Sequence, residues 1–126
     1  MFLLFSYDSF AQPGNDDPCD AEVLDVDIAC ALEPFELTDA TSSAGVPAPG
    51  CASYAGGDVW FEITVPAEGG ITAQTSLLDI TDTGMAIYSG TCNALNLVAC
   101  DDDGAGLGMS LLDVGGFLPG ETLRIS

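Results

Sequence analysis

Three clusters of oxygen-bearing side chains carry the chemistry open to this chain: Asn15-Asp16-Asp17, Asp58 and Asp101-Asp102-Asp103. A hard cation such as Ca²⁺ takes about six to eight oxygen ligands from carboxylates, amide side chains and backbone carbonyls. Each cluster lies just before or after an expected strand, so a β-sandwich can bring them together at one end. Adjacent aspartates repel one another unless solvent or a cation neutralises them. No lysine exists to do so, and Arg124 is the only basic residue. The spacing is not that of an EF-hand loop. A structural calcium site therefore competes with a solvated acidic rim.

The same inventory argues against catalysis. The chain has no histidine, so neither a Ser-His-Asp nor a Cys-His nucleophile can be built. A zinc site lacks both histidine and a closely spaced cysteine pair. A carboxylate pair can hydrolyse glycosides, but no acid lies in an apolar context that would raise its pKa. No glycine-rich phosphate loop is followed by a lysine. Tyr54, Trp60 and Tyr88 are the aromatics that can contribute to a ligand-binding face. Trp60 is expected to pack under a loop, because one ring does not make a sugar platform.

These residues need a scaffold, and the composition specifies its class. The 126 residues suffice for one domain with a single core. Twenty acidic residues against one basic one leave a net charge of −19. That field repels nucleic acid and anionic membranes, whose recognition needs Lys or Arg. Short apolar runs between Gly, Pro, Asn and Asp clusters, with no sustained 3.6-residue period, predict an all-β fold. Strands are expected at Val23 to Ile28, Phe35 to Thr38, Gly56 to Pro66, Ile71 to Thr75, Met85 to Tyr88, Leu95 to Cys100, Leu111 to Val114 and from Thr122. Within GGDVWFEITVP, Val59, Phe61, Ile63 and Val65 face one way, and Trp60, Glu62 and Thr64 the other. Ser89-Gly90 is the expected turn of the central hairpin, and Ala40 to Ala55 reads as loop. Roughly seven or eight short antiparallel strands fit a jelly-roll-type β-sandwich.

Both ends of the chain carry expectations. Residues 1–11 look like the back half of a secretory signal peptide, with an apolar Phe2 to Phe5 core and small residues at Ser9 and Ala11. They lack a positive start, and the competing reading is a disordered or edge-strand terminus. Residues 12–126 then form the single module. The alternating run Thr122 to Ser126 has no closing turn, so one or two further C-terminal strands are expected. Five cysteines imply a disulfide framework with an odd member, hence an oxidising, extracellular compartment. Cys92 with Cys100 is the natural local pair, Cys30 with Cys51 can close the intervening loop, and Cys19 is left unpaired, with its partner expected in the missing strand. Cys19 with Cys30 is the alternative, leaving Cys51 free.

The blocks NDDPCDA, GVPAPGCASYAGGDVWFEITVP, DTGMAIYSGTC and LVACDDD occur in that order. Together, from Asn15 onward, they resemble the secreted β-sandwich modules of Bacteroidetes exoproteins. These are similar to pre-peptidase C-terminal domains and, more loosely, to CUB and MAM jelly rolls. The resemblance implies a non-catalytic accessory module attached to a protease, adhesin or surface protein. It also implies calcium ligands at Asn15, Asp16 and Asp58, with Asp101 and Asp102 carried over through the CDDD block. A final strand ending near a cysteine belongs to such modules and is absent here. The expectation is thus an exported module with a structural Ca²⁺, contacting an extracellular protein or glycan surface or other domains of its parent protein. A carbohydrate-binding module and a plain structural spacer are the rivals.

Overall fold

A computed structural model describes residues 12–26, 29–30, 32–54 and 56–126; the signal-peptide reading concerns residues outside this set. The chain is all-β, with seven strands among the described residues: β1 (Glu22–Val23), β2 (Phe61–Thr64), β3 (Gly70–Gln74), β4 (Met85–Thr91), β5 (Ala94–Asp101), β6 (Leu111–Gly115) and β7 (Thr122–Ile125). A 3₁₀ turn, Pro18–Asp20, precedes them. They form a five-stranded sheet in the order β1-β2-β7-β4-β5 and a two-stranded sheet of β3 and β6. The pairings are antiparallel except β1 with β2, which is parallel.

Period-2 alternation sends side chains to two separate cores. Ile63, Val65, Met85, Ile87, Leu123 and Ile125 point toward the β3–β6 sheet and meet Ile71 and Leu112 there. The opposite face of the five-stranded sheet buries Trp60, Ala86, Tyr88 and Leu95, covered by Val46 of the long loop. This explains why the run Met85 to Tyr88 is buried at every position: a strand covered on both faces loses its wet side. Trp60 packs, as its place in the sequence predicts, with its ring 5.3 Å from that of Tyr88. β5 is bulged: Ile87 pairs with Ala99 and Tyr88 with Leu97, leaving Val98 as the extra residue.

Several sequence expectations are corrected. Of the first expected strand, Val23 to Ile28, only Val23 lies in β1, which starts one residue earlier at Glu22 and is extended by the Leu24 N–H to the Glu62 carbonyl; residues 27 and 28 lie outside the described set. Phe35 to Thr38 is not a strand, and Phe35 instead sets its ring edge-on to Phe61. The Ser89-Gly90 turn lies inside β4, and the chain reverses at Cys92-Asn93 because Thr91 pairs with Ala94. Gly90 is required there, having φ +94° and the Ala94 carbonyl oxygen where a Cβ would clash.

The disulfides differ from the local pairing as well. Cys19 joins Cys92, Cys51 joins Cys100, and Cys30 is a free, exposed thiol. Cys92 sits in the turn before β5 and Cys100 near the far end of that strand, and a rise of about 3.3 Å per residue carries them about 20 Å apart. A disulfide needs Cα atoms within about 7 Å. Nearness in sequence becomes distance in a strand. Cys19 and Cys92 bring their Cα atoms to 4.9 Å and pin the 3₁₀ turn to the hairpin tip, while the second bridge ties the long loop to the end of β5. Neither Cys19 nor Cys51 is left over.

Leu123 is fully buried at the centre of the larger sheet. Leu123→Ala should lower the free energy of unfolding by about 2–5 kcal/mol, measured by urea denaturation under non-reducing conditions.

Candidate metal site and hydrogen-bonded hub

Asp101 ends β5, and its Oδ2 accepts the backbone N–H of Gly104 at 2.7 Å and of Leu111 at 2.8 Å. These bonds, the Leu111 one foremost, hold its carboxyl below the usual carboxylate range. It therefore works inward, clamping the turn between β5 and β6. Ser110, fully buried, places its hydroxyl 2.6 Å from the Thr83 carbonyl and 2.9 Å from the Asp102 carbonyl. The Thr83 N–H donates to the Gly108 carbonyl at 2.8 Å. The segment before β4 is thereby held against the segment after β5.

The outcome is a carboxylate cluster. Asp82, Asp102 and Asp103 each offer an oxygen, and these atoms lie within 4.8 Å of one another, the one such trio among the described residues. Burial first, then the charges of Asp103, Asp82 and Asp101, raise the Asp102 carboxyl above its ordinary value. Oxygens at that spacing can share one Ca²⁺, whose bonds are about 2.3–2.6 Å long. Asp82 did not emerge as a ligand from sequence. The available signal was the hairpin itself: Met85 pairs with Asp101, so the residues just before β4 must lie beside those just after β5.

The other expected ligands serve a different centre. Asn15 Nδ2 donates to the Trp60 carbonyl at 3.0 Å, and the Trp60 N–H donates to the Asn15 carbonyl at 2.8 Å. The Asp16 carboxylate accepts the Thr41 N–H at 2.6 Å and its hydroxyl at 2.5 Å. Asp17 caps the 3₁₀ turn by accepting the Cys19 N–H. Ser43 Oγ accepts the Trp60 indole N–H at 2.8 Å and lies 3.1 Å from Asp58 Oδ1 and 3.3 Å from the Asp16 carbonyl. Asp58, 9% exposed, also accepts the Tyr54 hydroxyl at 3.0 Å. Asn15, Asp16 and Asp58 thus meet around Ser43 in a hydrogen-bonded hub, apart from the carboxylate trio. Of the seven expected ligands, only Asp102 and Asp103 belong to that trio.

The aromatics do not make a ligand-binding face. Trp60 is 0% and Tyr88 1% exposed, which leaves Tyr54, at 48%, alone. The Tyr88 hydroxyl donates to the Pro47 carbonyl at 2.9 Å. Burial, with smaller contributions from Asp58 and Tyr54, pushes its pKa up to about 12. The Tyr54 phenol is raised too, by burial and then by its bond to Asp58.

Comparison with protein-family models, characterised proteins and solved structures finds no match. Among the described residues no helix is long and apolar enough to cross a membrane.

Two measurements test this account. Ser43→Ala strands the Trp60 indole donor and should cost about 1–3 kcal/mol in chemical denaturation. Because Tyr88 ionises less readily folded than unfolded, its contribution to stability is intact below pH 10.0 and is lost as pH climbs to about 12. Alkaline melts should show that loss, and Tyr88→Phe should flatten it.

Proposed function

We propose that this chain is a non-catalytic, extracellular accessory module with a structural calcium site, serving protein contact, adhesion or substrate targeting within a larger secreted or cell-surface protein. The observation that carries the reading is the convergence of Asp82, Asp102 and Asp103 within 4.8 Å, in a chain with no lysine to neutralise them. The three groups come from two segments that buried Ser110 and the Asp101 clamp hold together, so the ligand set is preorganised at the expense of like-charge repulsion. A bound divalent cation removes that repulsion and fastens the start of β4 to the end of β5. Its role in this reading is structural, joining two segments of the chain.

Two disulfides support export, since such bonds persist in oxidising compartments. The burial of Trp60 and Tyr88 counts against the carbohydrate-binding reading, which needs exposed rings. A net charge of −19 keeps the module away from nucleic acid and anionic membranes.

The test is thermal unfolding in Ca²⁺ and in EDTA, without reductant. A ligand that binds only the folded state stabilises it by about 2.7 kcal/mol at a hundredfold excess over its dissociation constant. Wild type should melt higher in Ca²⁺, the Asp102→Asn/Asp103→Asn variant should lose that increment, and a Glu36→Gln/Glu68→Gln variant of equal charge should keep it. An equal response in all three proteins, or none in any, would reduce the trio to a solvated acidic rim.

A further inference from the structure

The two sheets are unequal, and the consequence is a cleft. Five strands span about 19 Å, whereas the two that cover them span about 5 Å. The uncovered part of the inner face forms an open cleft of about 1100 Å³. Leu24, Val26, Phe35 and Phe61 supply its apolar wall. Along the other side every residue from Gly70 to Ser76 lines it in succession. Such a run is the signature of a strand edge facing a space, because one face of a strand would contribute only alternate residues.

That edge is unpaired among the described residues: β3 has β6 as its one neighbour. The Thr75 N–H donates to the Ser110 carbonyl, and antiparallel groups alternate between facing the partner and facing away. Ile71 and Ala73 therefore bond toward β6, and Thr72 and Gln74 turn their N–H and C=O groups to the cleft. Over seven residues the edge is about 20 Å long, enough for about six residues of extended chain. At this size the cleft exceeds the usual range of about 300–1,000 Å³ for a small ligand.

Charge identifies the occupant. Glu22, Asp25, Glu33, Asp58, Asp82 and Asp102 line the cleft, and no basic residue does. A second copy of this chain would bring another −19 with one arginine, itself committed to Glu62. We propose that the cleft takes an extended segment of a different, basic protein, which adds to the edge of β3 as an antiparallel or parallel strand. Apolar residues at alternate positions would fill the wall formed by Phe35 and Phe61, and flanking Lys or Arg would meet Glu22, Asp25 and Glu33. This deepens the contact-module reading and rests on it; Asp82 and Asp102 of the trio border the cleft, but the β3 edge and the Glu22, Asp25 and Glu33 side need no bound cation.

The probe is a synthetic peptide of alternating valine and threonine with lysines at both ends, beside a counterpart ending in glutamates. Isothermal titration should favour the lysine peptide by at least about tenfold, a difference of about 1.4 kcal/mol. Hydrogen exchange should show new protection at Thr72 and Gln74. Thr72→Pro removes an outward N–H, a substitution that edge strands tolerate, and should weaken binding at least about tenfold. Asp25→Lys/Glu33→Lys leaves the ladder untouched and should reverse the preference between peptides. Equal binding of both peptides, protection at β5 instead of β3, or sedimentation showing a dimer that protects Thr72 would each overturn the proposal. Both titrations are run in Ca²⁺ and in EDTA. Failure of peptide binding with the calcium melting response intact sinks the cleft alone, and the converse sinks the metal site alone.

Discussion

Arg124 is the one cation in a chain of net charge −19, and the larger sheet is assembled around it. It lies on β7, between β2 and β4. Its Nη2 donates to Glu62 Oε2 at 2.8 Å, its Nε to the Pro18 carbonyl at 3.0 Å and its Nη1 to the Gly90 carbonyl at 3.4 Å. A half-buried ion pair contributes little once desolvation is counted, unless further hydrogen bonds satisfy the charged groups. Here the guanidinium's forked donors reach three elements at once, which an ammonium on a flexible stem would not do. One side chain thus joins the opening turn, a central strand and the end of the hairpin, while its neighbours Leu123 and Ile125 point into the main core.

The two disulfides extend the same arrangement to the loops. A 126-residue chain with 15 glycines and short strands has much conformational entropy to lose and a modest core to offset it. Cys19–Cys92 and Cys51–Cys100 close separations of 73 and 49 residues, and long closures remove the most freedom from the unfolded chain. They also hold the loop around Val46 and Pro47 over Trp60 and Tyr88, giving the outer sheet face its own small core. The hub at Ser43 belongs to this layer, for it satisfies the indole N–H and the Asp58 carboxylate where water is largely excluded.

The acidic residues divide by what the fold leaves them to do. Asp16, Asp17, Asp58 and Asp101 spend their oxygens on neighbouring N–H and O–H groups. Asp82, Asp102 and Asp103 face one another instead, and their repulsion is the reason to propose a cation there. Glu22, Asp25 and Glu33 line the cleft, which Asp58, Asp82 and Asp102 also border.

Much of the fold was legible in the residues themselves. Alternation in FEIT, GITAQ and TLRI marked strands, because a side-chain period of two needs no partner to be recognised. The absence of histidine and the surplus of carboxylates set the available chemistry before any folding. What lay beyond the sequence was pairing at long range. Cys19 with Cys92, Ser43 with Trp60, and Asp82 with Asp102 are neighbours only because strands carry residues apart along the chain and sheets return them across it. Local spacing favoured Cys92 with Cys100, yet an extended strand keeps its two ends apart. Tertiary structure alone decided which aspartates became hydrogen-bond acceptors and which were left facing like charge, since that depends on which donors the packed loops bring within reach.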